Sequence, residues 1–216
     1  MPGGGATGRG VPGGALGAAT PAGGDPEEVE LRLAAVKRLP RGLGSVRIRL
    51  RGDLSGKESV DYVRRIGVDP ASAVRSGALQ FYRAERGLLL QGEMRSSGVQ
   101  GEERKGPCPP DVDPDVNRKK GRKCFPHDPD CGCHGPIMLP GMVGWAGGAG
   151  KGPHFFIYVG DGPNTFWGHD HTVWGQLADE QSMNAVKAVL DLPVSSGGGM
   201  RMLKQKVPFE LRLSTR

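Results

Sequence analysis

Short segments of the chain alternate apolar and polar residues with a period of two, and that pattern decides what it can fold into. In SVRIRLR (45–51), Val46, Ile48 and Leu50 alternate with Arg47, Arg49 and Arg51. In HFFIYVG (154–160), Phe155 and Ile157 fall on one face, and His154, Phe156 and Tyr158 on the other. VPFELRL (207–213) alternates Val207, Phe209, Leu211 and Leu213. Period two is the mark of a strand with one buried face. FYRAERGLLLQG (81–92) reads as part of two strands, about 78–84 and 87–92, turning near Arg86–Gly87, and HTVWGQL (171–177) as another. Only two stretches have helical spacing. One, about 56–66, follows an S-x-x-E capping box at Ser55 and Glu58 and carries Val60, Val63 and Ile66 on its inner face. The other, 179–192, starts near Asp179, stops before Pro193, and turns Met183, Val186 and Val189 or Leu190 inward. Many strands and two helices predict a mostly β domain whose open ends the helices cover.

The ordered domain is expected over 29–216, behind a Gly/Ala/Pro-rich tail (1–28) with too little to bury and so expected to be disordered. Gly 37 and Pro 18 make up about a quarter of the chain, close to the low-complexity range. A second irregular stretch, 93–141, interrupts the domain and holds all four cysteines before order returns at MVGWAGG (142–148). No apolar run approaches the ~20 residues of a membrane helix. The start of the chain lacks the charged and continuous apolar segments of a secretory signal, so it is either not secreted or preceded by more sequence. The net charge of +6 is spread out, apart from RKKGRK (118–123). No stacking aromatics interleave with that run, which reads as a solvated loop, and no nucleic-acid partner is expected.

Cys108, Cys124, Cys131 and Cys133 lie close together, near His127 and His134. Two disulfides could staple the loop, the thiols could stay free or redox-active, or the set could hold zinc. C-x-C is poor zinc-finger spacing, and Cys131 and Cys133 are badly placed to bridge each other. A disulfide clip would imply an oxidising compartment that the visible N-terminus does not indicate, so the cellular address stays open. His169 and His171 would share one strand face, but two imidazoles without a third ligand make no metal site.

Arg83 raises a separate question, because it follows two aromatics at the head of an apolar strip that Gln91 closes. A guanidinium there must be solvated, paired, or facing a substrate. FYRAERGLLLQG is similar to the cyclophilin pattern F-H-R-V-I-x-x-F-M-I-Q-G. GMVGWAGGAGKGPHFFI (141–157) is similar to that family's M-A-N-A followed by S-Q-F-F-I, and TFWGHDHTVWG (165–175) resembles W-L-D-x-x-H-x-V-F-G. The three occur in the family's order, and with the strand–helix pair at 45–66 and the helix–strand pair at 179–213 falling where that family has its own, the resemblance covers roughly 29–216 apart from the long insert.

The resemblance implies a closed eight-stranded antiparallel barrel capped by two helices. It also implies peptidyl-prolyl cis–trans isomerase activity on proline-containing polypeptides, with no cofactor, in a monomer. By the same resemblance, Arg83 matches the catalytic arginine and Gln91 the glutamine that fixes its geometry. Phe156 matches the aromatic floor of the proline pocket, Leu88 and Leu89 its Phe and Met walls, and His171 the groove histidine. Phe166 or Trp167 stands for the family's Trp-Leu pair, since two extra residues leave the register open. Four positions depart from the pattern: Trp145 replaces a backbone-contacting Asn, Gly144 the neighbouring Ala, His154 a Gln, and Leu88 a Phe. Trp145 could wall the groove or fill it. Three readings follow: an isomerase of weakened activity, a non-catalytic proline-peptide binding module on the same scaffold, and a metal- or redox-regulated interaction protein built on the Cys/His loop.

Overall fold

A computed structural model describes residues 27–40, 42–55, 57–68, 79–95, 135–146, 154–168 and 171–214. All four cysteines, His127, His134, His169, the RKKGRK run and the tail through residue 26 lie outside these residues.

Nine strands and three helices follow in chain order. They are β1 (Glu28–Leu33), β2 (Ser45–Leu50), α1 (Gly52–Ser55), α2 (Lys57–Val68), β3 (Leu79–Glu85), β4 (Leu89–Met94), β5 (Met142–Trp145), β6 (His154–Tyr158), β7 (Val173–Leu177), α3 (Glu180–Leu190), β8 (Val194–Gly197) and β9 (Met200–Ser214). Their pairing runs β1-β2-β7-β5-β6-β4-β3-β9, and β9 returns to pair with β1, so eight antiparallel strands close into a barrel. β8 adds a hairpin to the first half of β9 outside that ring. Closure leaves no free edge in the ring.

The alternation seen in the sequence sorts residues to the two sides of this wall. Val29, Val46, Ile48, Phe81, Leu90, Phe155, Ile157, Trp174 and Leu211 point inward and are fully buried. The arginines that alternate with them in β2 point outward and find carboxylates: Arg47 pairs with Asp179, and Arg49 with Glu28 at 3.2 Å. Two glycines permit the tightest inward packing. A Cβ on Gly175 would lie 2.5 Å from Ile48 Cγ2, and one on Gly92 would lie 2.7 Å from the Gln80 carbonyl oxygen and 2.9 Å from the Phe155 ring.

The two longer helices plug opposite ends. α2 inserts Tyr62, Val63 and Ile66, all without exposed surface. It is tied down where β4 and β5 finish: the Tyr62 hydroxyl donates to the Met94 carbonyl at 2.6 Å, and Trp145 Nε1 donates to Ser59 Oγ at 2.9 Å. The Tyr62 and Trp145 rings meet edge to face at 5.6 Å. α3 closes the other end with Ala185, Val186 and Val189. Asp179 caps it by accepting from the Ser182 N–H at 2.7 Å, as its place in the sequence predicts. Ser182 Oγ in turn accepts from the Arg47 N–H at 2.9 Å, which locks α3 to β2.

Several expectations are corrected. Glu27 and Glu28 belong to the folded domain and not to the tail, and Glu28 is buried in β1. β4 continues through Met94, inside the stretch expected to be irregular from residue 93. Ser55 stands ahead of α2 as expected, but it also ends an extra one-turn α1, and its hydroxyl reaches the Arg51 carbonyl at 3.3 Å. β9 starts at Met200, well before Val207, because its first half lies on the exposed hairpin and carries no alternation.

Trp145 joins the barrel wall to α2 through one buried hydrogen bond to Ser59 and one ring contact with Tyr62. Trp145→Ala is expected to lower the unfolding free energy by about 3–5 kcal/mol, read from urea denaturation.

Candidate functional site

The outward face of the wall gathers the residues singled out by the sequence. Arg83 of β3 is paired directly with Gln91 of β4, and Gln91 with Phe156 of β6. Phe156 is paired in turn with Gly144 of β5. Directly opposed residues share a face, so Arg83, Gln91, Phe156 and Gly144 form one row across four strands. A register shift between Phe81 and Arg83 sets the row up. Phe81 points in, Ala84 points in, and Tyr82 and Arg83 in succession both reach the outer side, which strict alternation forbids.

Arg83 is held at two points. Its Nε donates to Glu85 Oε1 at 3.0 Å and its Nη1 to Gln91 Oε1 at 3.1 Å. Its side chain keeps about a fifth of its surface exposed (22%). Among the described residues Nη2 has no hydrogen-bond partner, so the guanidinium is fixed on one side and presents donors on the other.

Next to it lies an aromatic cluster. Phe156 meets His171 at 4.8 Å and Trp167 at 5.2 Å, both edge to face, and Trp167 meets His171 at 5.2 Å and Tyr158 at 5.6 Å. Leu89, Met138, Met142 and Val173 complete this second apolar cluster, separate from the barrel core. His171 Nδ1 lies 3.2 Å from the Trp145 carbonyl oxygen. A carbonyl only accepts, so Nδ1 is the donor and that side of the ring is anchored. The turn bearing Trp167 is pinned by Asn164, whose Oδ1 accepts from the Trp167 N–H at 3.0 Å while its own N–H donates to the Met138 carbonyl at 2.9 Å.

The arrangement resolves the open register: Trp167 joins the cluster, whereas Phe166 is 86% exposed and turns away. Leu89 is buried in the cluster, and Leu88 stands exposed at the β3–β4 turn. Trp145 neither walls nor fills this surface. It is opposed to Phe155, an inward residue, and packs on Trp174 at 5.1 Å inside the barrel. The one-residue difference from Gly144 puts it on the other side of the sheet. His154 takes part from beyond Gln91: its Nδ1 lies 3.1 Å from the Tyr82 hydroxyl, and the two rings meet at 5.6 Å. The cysteine loop expectation lies outside the described residues. Among the described residues no three His, Cys, Asp or Glu side chains gather as metal ligands, and no helix is long and apolar enough to cross a membrane.

Sequence reasoning missed Tyr82, Glu85, Met138, Met142, Tyr158 and Asn164. Glu85 was within reach, since in a strand residue i+2 shares the face of residue i. Tyr82 was not, because only the bulge brings it out.

No known family profile and no curated protein sequence matches the chain. Solved structures do. A cyclophilin-type peptidyl-prolyl cis–trans isomerase of Cryptosporidium parvum superposes with a TM-score of 0.55 at 10% sequence identity, covering 88% of this chain and 98% of that one. The same kind of enzyme from that organism, crystallised in the presence of the dipeptide Ala-Pro, gives 0.54 at 10% identity, covering 88% and 99%. The fold is thus the cyclophilin fold.

The Tyr82 phenol is pushed up to about 12, first by burial and then by the Glu93 carboxylate, against smaller opposing effects of Arg83 and a Gln91 hydrogen bond. A phenol held protonated in the folded state and free to ionise in the unfolded one favours folding most below its ordinary value near 10, and the benefit disappears as pH rises towards 12. The Tyr82 ring resonance is expected to stay in its phenol form at pH 11 in an NMR titration. Tyr82→Phe should flatten part of the alkaline loss of stability between those two values.

Proposed function

We propose that the protein is a peptidyl-prolyl cis–trans isomerase acting on X-Pro bonds of polypeptides. One observation carries the reading: Arg83, Gln91 and Phe156 stand in register on the outer face of three neighbouring strands. The likeness of fold to isomerases supports it.

The chemistry asks little of a protein. Resonance gives the peptide bond a rotational barrier of about 18–20 kcal/mol, and X-Pro is the bond whose two isomers are both commonly populated. No covalent bond breaks. In the perpendicular state the prolyl nitrogen loses its conjugation and regains a lone pair. A donor placed there stabilises that state more than either planar one, which is the condition for catalysis. Arg83 is suited to the task because its guanidinium is always charged, braced by Glu85 and Gln91, and equipped with further donors on Nη1 and Nη2. The apolar surface of Phe156, Leu89 and Met138 would take the prolyl ring, with His171 and Trp167 at its sides.

A second reading, proline-peptide binding without turnover, is favoured by a different observation. Phe156 is only 3% exposed, because Trp167 and His171 stand edge-on against it. A prolyl ring reaches Phe156 only after those rings part, and a site that binds through such a displacement need not also hold the twisted state.

Isomerisation of an X-Pro peptide separates the two readings. Under the isomerase reading Arg83→Ala lowers kcat/KM by about a hundredfold, the usual effect of losing one aimed donor, while the melting temperature stays close to that of the native chain. If the native chain binds the peptide yet turns it over no faster than Arg83→Ala does, binding alone remains.

A further inference from the structure

Glu85 is a carboxylate whose position invites explanation. It lies at the end of β3, two residues beyond Arg83 on the same outer face, and its side chain is 14% exposed. Its Oε1 accepts two hydrogen bonds, from Arg83 Nε at 3.0 Å and from the Arg201 backbone N–H at 2.8 Å. Arg201 lies at the start of β9, where that strand pairs with β8, and Met202 beside it is paired with Arg83 itself. One oxygen therefore links the guanidinium to the rigid hairpin backbone.

We infer that Glu85 is a positioning residue for Arg83: it fixes the rotation of the guanidinium so that Nη2 faces the apolar cluster. The inference rests on the isomerase reading for its effect on turnover, and on geometry alone for the clamp. Gln91 by itself holds Nη1 and leaves the group free to swing about that contact. The second contact, at Nε, removes the swing, because a planar fork held at two of its three nitrogens has its third determined. The backbone N–H of Arg201 matters as much as the charge. A glutamate side chain can take several rotamers, and a main-chain donor selects the one that meets Arg83. The carboxylate does not touch substrate, so its loss should show in the rate and not in binding.

The experiment follows the full chain in two measurements. Isomerisation of an Ala-Pro peptide gives kcat and KM for the native chain, Glu85→Ala, Glu85→Gln and Arg83→Ala. Proton–nitrogen spectra of the arginine Nε–Hε groups, with the Arg83 signal assigned by its absence in Arg83→Ala, report the clamp directly. Glu85→Ala is expected to reduce kcat about tenfold with KM within about twofold, since misorientation of a catalytic group is felt in the rate. The Arg83 Nε–Hε signal should collapse into those of the solvent-averaged arginines. Glu85→Gln keeps an oxygen acceptor and should recover both in part. Native kcat in Glu85→Ala together with an unmoved Nε–Hε signal overturns the inference. Where Arg83→Ala itself leaves turnover unchanged, the isomerase reading falls and the spectra decide the clamp alone: a signal lost in Glu85→Ala sustains it, and a signal that persists removes it.

Discussion

The return of β9 to β1 is the contact on which the rest depends. Six consecutive pairs, Glu28↔Ser214 through Leu33↔Phe209, join the first described strand to the last and turn an open sheet into a ring. An open sheet could accept a slipped register at its edges. A closed one fixes, strand by strand, which residues face in, because any slip would carry charged residues such as Arg47 and Arg49 into a volume filled by Trp174, Phe155 and Phe81. The same closure gives the outer wall a fixed pattern, and the candidate site is a row of that pattern.

On such a wall the site needs one exception to alternation. The bulge between Phe81 and Arg83 places two successive side chains outside, so Tyr82 reaches His154 while Arg83 reaches Gln91. Without it, Arg83 and the buried Phe81 could share a face or Ala84 would lose its inward place. Gly92 makes the exception possible: it opposes Phe81 and has no Cβ to collide with the Phe155 ring or the Gln80 carbonyl that crowd it. Local irregularity in β3 and the missing side chain in β4 are two halves of one packing solution.

The strands legible in the sequence were β2, β6 and the second half of β9, from their one apolar face, together with β3, β4 and β7. β8 and the first half of β9 were not, because their inward pair, Val194 opposite Leu203, is too short to set up an alternating period. The helix beginning at Asp179 was read from its cap and ending, and both are real in physical terms: a carboxylate meets the Ser182 N–H, and a proline follows the last turn. Arg83, Gln91, Phe156 and His171, singled out because they sit in motifs, lie together on the outer face of the wall. The role given to Trp145 was wrong by one residue of register. Counting along a strand cannot tell which of two neighbours faces outward once a bulge intervenes, and β5 has one between Val143 and Gly144. The choice between Phe166 and Trp167 was closed to sequence reasoning because both are large, apolar and adjacent. The Asn164 cap on the Trp167 N–H decides it, and nothing in the spacing announces that bond.

The ring cluster and the arginine differ in how they are supported, and the difference bears on mechanism. Arg83 is held by partners on β4 and on its own strand, and through Glu85 by the β8–β9 hairpin, all regular structure. Trp167 sits on a turn anchored by the Asn164 side chain and backbone, and the His171 ring is bonded to the Trp145 carbonyl while its backbone carbonyl accepts from the Gly135 N–H at 2.9 Å. Breaking one neutral hydrogen bond costs about 0.5–1.5 kcal/mol net, whereas moving the Arg83 guanidinium would break two charge-assisted contacts, to Glu85 and to Gln91. A ligand that parts the rings over Phe156 therefore works against the weaker half of the site. On the proposed isomerase reading, Arg83 would meet the twisted imide from a fixed position while the apolar surface gives way.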